Sequence, residues 1–323
     1  MKRRGILRIL SMAALASMNQ MPRAQSYPTK PITLLVGGAP GSVPDLMIRP
    51  IAERLSASLG HAVVVDNKPG AAGSIAMAAL GRSAPDGHTL GLVTMSQAVF
   101  NTYLFAKLPY DALRDLEPVA PLVTGAMVLA AHPTLAARSF PEFISLAKSQ
   151  PGKLFVAIPQ LGSPPHVVGL LLSRAAGIEV KFVPHTSGAT AVTAVLAGDI
   201  PLLLDAPTII SPHVVAGKLK ALAVTGRQRE ALLPQTPTAI ESGIDAPGEA
   251  WLGLVVPAGT PSAVVQRLNR EITTLMGEPE ISTAMAKLGF RALTSSPDAF
   301  RGLIQQEHAK WGGVIRDAGL KLE

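Results

Sequence analysis

The residues of this chain with chemistry to offer sit in short loops dense in glycine, proline and hydroxyl groups. Gly37-Gly38-Ala39-Pro40-Gly41-Ser42-Val43-Pro44-Asp45 follows one apolar run, and Thr94-Met95-Ser96-Gln97 follows another. Pro159 to His166, Pro184 to Thr190 and Asp205-Ala206-Pro207 complete the set, and none of these loops contains lysine or arginine. An anion held by such loops is bound by backbone N–H groups, hydroxyls, ordered water and helix N-termini, with no arginine clamp. The candidate contacts are Ala39, Gly41, Ser42, Thr94, Ser96, Gln97, Gly162, Ser163, His166, His185, Ser187 and Asp205. Gly41 and Ser42 let the backbone approach a ligand, while Pro40 and Pro44 stiffen the loop around them.

Each of these residues also has a plainer role. Asp45 stands where a helix N-cap belongs, and a carboxylate aimed into an anion site would repel its guest, so capping is the expected role. Ser42 is either a turn residue or a contact. His166 follows Pro164-Pro165 and is expected to orient its loop, with direct contact as the alternative. His185 is either a contact or simply exposed, and Asp205 either caps the turn after it or accepts a hydrogen bond from a ligand hydroxyl or ammonium.

Serine, histidine and aspartate are all present, but hydrolytic chemistry has little support. The chain has no G-x-S-x-G elbow, no H-E-x-x-H and no Walker lysine after a glycine-rich loop. With no cysteine it can form no disulfide, thiolate nucleophile or lipid-modified cysteine. No catalytic residue, metal or cofactor is expected.

The loops need a scaffold, and composition supplies one. The 323 residues are 48% hydrophobic and 16% charged, enough for a sizeable core and two domains. The net charge of +7 suggests nucleic acid until it is located. Lys2, Arg3, Arg4, Arg8 and Arg23 all precede residue 25, and setting them aside leaves 24 basic against 22 acidic residues. That balance excludes a nucleic-acid surface. The same N-terminal stretch, basic at its start and apolar from Ile9 to Ala16, reads as an export signal over residues 1–24, cleaved after Ala16 or Ala24. Arg3 to Arg8 leaves twin-arginine and general secretion both open, and a periplasmic location follows from either.

Short aliphatic runs recur: Ile32 to Val36, Val63 to Val65, Leu90 to Val93, Val128 to Ala131, Leu154 to Ile158, Val180 to Val183, Ile200 to Leu204, Ala221 to Val224 and Leu254 to Val256. Most precede a loop and a helical pattern, the signature of α/β units around largely parallel sheets. Thr260-Pro261, Ser139 with Glu142, and Ser296-Pro297 mark three helix starts. Pro118 to Pro133 and Gly248 to Pro261 are long, apolar and interrupted by glycine or proline, as strands passing between two lobes would be. Ligands in open α/β sheets bind at the carboxyl ends of strands, where the loops above lie.

Seven ordered stretches carry a resemblance: Val63 to Ala76, Ala84 to Leu90, Lys107 to Asp111, Gly162 to His166, Leu219 to Arg229, Leu233 to Gly243 and Trp251 to Pro261. Together they resemble the substrate-binding proteins of tripartite tricarboxylate transporters, the Bug receptors, over nearly the whole length after the signal. The resemblance implies an α/β, two-lobed periplasmic-binding-protein fold of type II, each lobe a mainly parallel sheet flanked by helices. It places one lobe at residues 25–125 plus 250–323 and the other at 126–249. It implies a receptor, expected to be monomeric, that closes on a small carboxylated solute by hinge motion and delivers it to integral membrane transporter subunits. A sensor presenting the solute to a membrane signalling protein would use the same cleft. The first loop departs from the family pattern: only Pro40, Gly41 and Asp45 match, and Val43 and Pro44 replace a glycine and a hydroxyl. The pocket wall is therefore expected to be stiffer and less polar, with an aromatic lost from that loop.

Overall fold

The computed structural model describes residues 27–322, so the proposed export signal lies outside the described residues. Two β-sheets organise the chain. The first contains β1 (Ile32–Val36), β2 (Val63–Asn67), β3 (Thr89–Thr94), β4 (Leu116–Ala126), β10 (Glu249–Pro257) and β11 (Arg291–Ala292), in the order β11-β4-β10-β3-β1-β2. The second contains β5 (Val128–Ala131), β6 (Phe155–Ile158), β7 (Lys181–Pro184), β8 (Leu202–Asp205) and β9 (Lys220–Val224), in the order β7-β6-β8-β5-β9.

The sheets are more mixed than the sequence pattern predicts. Parallel pairing joins β1 to β2 and β3, and β6 to β7 and β8. β10 runs antiparallel to β3 and β4, and β5 antiparallel to β8 and β9. These antiparallel strands are the ones that carry the chain between sheets. A strand arriving from the other sheet needs no crossover helix, so nothing forces it parallel. The segment Pro118 to Pro133 holds the end of β4 and all of β5, separated by Met127 alone, and the chain returns to the first sheet at β10.

Ten α-helices cover the sheets among the described residues. In chain order they are α1 (Val43–Leu59), α2 (Ser74–Gly81), α3 (Asn101–Leu104), α4 (Phe140–Ser149), α5 (Pro164–Ala176), α6 (Gly188–Leu196), α7 (Pro207–Val215), α8 (Ser262–Met276), α9 (Pro279–Lys287) and α10 (Pro297–Asp317). One apolar core, built on β1, α1, β10 and α8, includes Ile32, Leu34, Ile48, Ile51, Leu254, Leu268 and Ile272. A second joins the two sheets through Phe100, Met127, Trp251, Phe300 and Trp311.

Helix ends follow the sequence with two corrections. Ser296 and Ser139 accept hydrogen bonds from Ala299 N–H and Glu142 N–H, as expected of N-caps. Glu142, however, reaches the N–H of Arg138 and not that of Ser139. α8 begins one residue late, at Ser262 with Pro261 before it, and the Thr260 hydroxyl turns away to donate to the Pro257 carbonyl. That bond competes with capping, as threonine hydroxyls do beside a free carbonyl.

Candidate functional site

The loop Gly37 to Asp45 is held by a small polar clamp. Asp45 does not cap α1; it is the third residue of the helix, in its first turn, and Ser42 occupies the N-cap position. From there the buried Asp45 carboxylate accepts from the Gly41 N–H at 2.8 Å, from Asn67 Nδ2 at 2.9 Å and from Arg49 Nη2 and Nε at 2.8 and 2.9 Å. Asn67 also donates to the Gly38 carbonyl at 2.9 Å. Arg49 beside it, with the Gly41 and Asn67 donors, drives the Asp45 carboxyl down to about 2. One side of the loop is thereby fixed by a carboxylate that points into the protein and away from any guest.

The loop after β3 has its own brace. Thr94 N–H donates to Gln97 Oε1 at 2.8 Å, and Gln97 N–H donates to Thr94 Oγ1 at 3.3 Å. The chain then turns through a wide π-type turn, Ser96–Phe100, a form that recurs at functional sites. Gln97 is 3% exposed and lies in a slot between Gly37 and Gly73, where an added Cβ would meet its Nε2 at 2.3 and 1.8 Å. Gln97 is thus a brace for the first-sheet loops and does not reach the cavity described next.

Between the sheets lies a cavity of about 250 Å³. Val43 and Pro44 begin α1 on one wall; Thr94 and Ser96 follow β3; Ser163, Pro164 and Pro165 begin α5; Asp205, Ala206 and Pro207 lead into α7. Met127, Trp251 and Phe290 close the rest with apolar surface. Three helix N-termini therefore meet here, and none has a side-chain cap: Ser42, Ser163 and Ala206 each stand at an N-cap position without accepting from the helix. Pro44, Pro164, Pro165 and Pro207 stand in these first turns and have no N–H, which leaves the N–H groups of Val43, Asp45, His166 and Thr208 and the positive ends of the helix dipoles. Among the described residues no lysine, arginine or histidine lines the cavity, and Asp205 is the sole ionisable lining side chain.

The twelve sequence candidates separate on this geometry. Thr94, Ser96, Ser163 and Asp205 line the cavity. Ala39 and Gly41 are exposed in the first loop, where Gly41 takes φ +79° and donates to Asp45. Ser42 is partly buried, and its Oγ, for which Gly38 leaves room, pairs with nothing in the protein. Ser187 is exposed and forms a capping box with Thr190 at the start of α6. Gly162 takes φ +72° and packs near Leu104 and Leu322, where an added Cβ would sit 2.7 and 3.2 Å from their methyl groups. His185 is half-buried, its N–H donating to the Ile158 carbonyl and its Nε2 buried without a partner.

His166 lies behind the cavity wall, 3% exposed, with Nδ1 accepting from the Gly162 N–H at 3.1 Å and its ring edge-on to Phe182 at 5.1 Å. Burial pushes its imidazole from 6.5 down to about 4, so it holds its loop as the neutral ring. Because the folded value lies below the unfolded one, stability is intact above pH 6.5 and is withdrawn as pH falls from 6.5 towards about 4. His166→Gln keeps an acceptor for Gly162 and cannot be protonated. Its stability relative to the parent chain is expected to improve by about 3 kcal/mol on going from neutral pH to pH 4, measured by denaturant unfolding at each pH.

Asp205 is the other buried titratable group. It is 5% exposed; Oδ1 accepts from the Ala206 N–H at 2.7 Å, and Oδ2 is buried without a partner. Oδ2 is lodged against Gly188, where an added Cβ would lie 2.4 Å away. Val43, Pro44, Met127, Trp251 and Phe290 were beyond the twelve candidates. Val43 and Pro44 were legible as a stiff wall, whereas Met127 and Phe290 arrive from a strand junction and from the turn after α9, with no local signal.

Comparison with known proteins matches this arrangement to a family. The sequence profile of the tripartite tricarboxylate transporter family receptor matches residues 47–320. The Bordetella pertussis protein BugT is 32% identical over 302 residues, covering 93% of this chain and 93% of BugT. Among solved structures, R. palustris Rpa4515 with adipate superposes with a TM-score of 0.80 at 28% identity, covering 92% of this chain and all of that one. MatC from Rhodopseudomonas palustris with bound malate gives a TM-score of 0.75 at 29% identity, covering 90% of this chain and all of that one.

Proposed function

The chain belongs to the tripartite tricarboxylate transporter receptor family, and from that premise we propose that it captures a small carboxylated solute in the cavity between its sheets. In this reading the two sheets are the cores of two lobes, residues 25–125 plus 250–323 and residues 126–249, that close on the ligand. The protein works as a monomer in the periplasm, performs no chemistry on the solute and hands it to a membrane transporter. Among the described residues no helix is long and apolar enough to cross a membrane.

The observation that carries the reading is the convergence of three uncapped helix N-termini on a cavity without a cationic side chain. The remaining backbone N–H groups and the Thr94 and Ser96 hydroxyls are the donors available to a carboxylate there, since the Ser163 hydroxyl donates to the Gln160 carbonyl at 2.7 Å. The walls of Met127, Trp251, Phe290 and five prolines suit an acid with a hydrocarbon body. The bound adipate and malate of the two neighbouring structures are acids of this kind.

A thermal-shift screen of mono-, di- and tricarboxylates, amino acids and aromatic acids tests the proposal. A ligand at 100 times its dissociation constant is expected to add about 2.7 kcal/mol of stability. Stabilisation by one class of carboxylate supports the reading. A response to none of them, or equally to uncharged analogues, overturns it.

A further inference from the structure

We propose that Asp205 meets the anionic ligand as the neutral acid, so that one proton enters the cavity with each carboxylated solute. The inference rests on the receptor reading above and concerns the one carboxyl group lining the cavity.

The geometry poses a conflict that has to be resolved. Three helix N-termini draw an anion to this place, yet Asp205 is a carboxyl group in the same wall, 5% exposed. Its Oδ1 is satisfied by the Ala206 N–H, while Oδ2 is enclosed against Gly188 without a partner, so a guest reaches Oδ2 once the carboxyl turns towards the cavity. A buried acceptor left unpaired is unfavourable, and an ionised one facing a carboxylate is more so. A proton on Oδ2 resolves both problems, because an acid O–H donates to a carboxylate oxygen in a short, charge-assisted hydrogen bond. The balance is simple. One proton passes from solvent to Oδ2, no other bond changes, and the cavity gains a monocarboxylate with no change of net charge.

The surroundings favour the neutral form. Burial already raises the Asp205 carboxyl from 3.8 to about 6 without a ligand, opposed by the Ala206 N–H alone. Among the described residues no cation holds it ionised. α6, packed against it through Gly188, carries no charged residue, and α7 carries none except His213 in its last turn. The paired strands β5 and β6 have none. On α5, His166 is held neutral by burial and Arg174 lies in the last turn, paired with Asp317. Arg291, beyond Phe290, is engaged by Glu249 at 2.8 Å. His185, in the loop before α6, is the remaining titratable group nearby, and its contribution has to be separated by experiment.

Calorimetric titration of the exported chain with adipate and with malate, at about pH 5.5 and about pH 8, is the test, using buffers of different ionisation enthalpy to count protons. The same measurements are made on Asp205→Asn, which keeps an acceptor for Ala206 and a permanent donor in place of Oδ2–H, and on His185→Gln. The expected result is uptake of one proton at the higher pH. Affinity then weakens by about tenfold per pH unit above pH 6 in the parent chain and in H185Q. D205N is expected to bind independently of pH and more tightly than the parent at about pH 8. Pure pH independence in the parent, or a slope that survives in D205N and vanishes in H185Q, overturns the proposal while leaving the receptor reading in place. Failure of every carboxylate to bind any of the three proteins overturns the receptor reading, and this inference with it.

A ligand-free measurement bears on the proposal as well. Melting temperatures of the parent chain are expected to fall relative to D205N as pH rises from about 4 to about 6, since ionising a buried, unpaired carboxylate disfavours the fold. A parent chain more stable than D205N above that window would make Asp205 a charged cap of α7, and would overturn its neutral role.

Discussion

Val43→Asp is expected to abolish carboxylate binding while leaving the fold as stable as before or slightly more so. Val43 is the first residue of α1 and part of the cavity wall, so its side chain stands beside the unpaired N–H groups that would receive the ligand. A carboxylate at that position is favourable to the helix, worth about 0.3 to 1 kcal/mol in an exposed first turn. To an anionic guest it is a like charge at close range. At about 5 Å and an effective dielectric near 20 the repulsion is about 3 kcal/mol, a loss of roughly 10² to 10³ in affinity. Val43→Asn separates charge from shape, since it is the same size as aspartate and remains neutral. Calorimetry should show V43N within about tenfold of the parent chain and V43D without detectable binding, with melting temperatures above or equal to the parent for V43D. If V43D binds carboxylates as well as the parent does, the α1 terminus is not where the anion sits.

Such a prediction could not be framed on the sequence alone, although much of its setting could. The strand and helix pattern, the two apolar crossing segments and the absence of cations from the strand-end loops were all legible, because period-two aliphatic runs and turn residues are local signals. The antiparallel entries of β5 and β10 were not, since nothing in a strand's own residues states the direction of its neighbour. Site residues divide on the same line. Thr94, Ser96, Ser163 and Asp205 were found because they directly follow strands or begin helices. Asp45 was given a cap's role because a carboxylate near a helix start ordinarily has one; its spacing of four from Arg49 was the available clue to the clamp it forms. Gln97, polar and in a strand-end loop, reads as a ligand contact on sequence alone. Its actual place depends on Gly37 and Gly73, which are distant in sequence and give up their side-chain volume to it.

That slot is where a single methyl group should do the greatest damage to the fold. Gly73→Ala is expected to cost about 2 to 4 kcal/mol of stability and to weaken carboxylate binding at the same time. Part of the cost is backbone: Gly73 has φ +82°, a left-handed conformation that disfavours any other residue by about 1 to 2 kcal/mol. The rest is displacement, because the new Cβ would lie 1.8 Å from Gln97 Nε2, and Gln97 must leave its slot. Leaving breaks the bond from Thr94 N–H to Gln97 Oε1 and strands a buried donor, worth about another 1 to 3 kcal/mol. Thr94 and Ser96 line the cavity on either side of Met95, so their displacement reaches the ligand although Gly73 does not. Gln97→Ala in the same background removes the collision but keeps the backbone cost. The two substitutions should therefore be less damaging together than the sum of each alone, by about 1 kcal/mol or more in a double-mutant cycle of denaturant unfolding. Strict additivity would mean that Gln97 does not occupy the glycine slot, and that the brace beneath Thr94 and Ser96 is built in some other way.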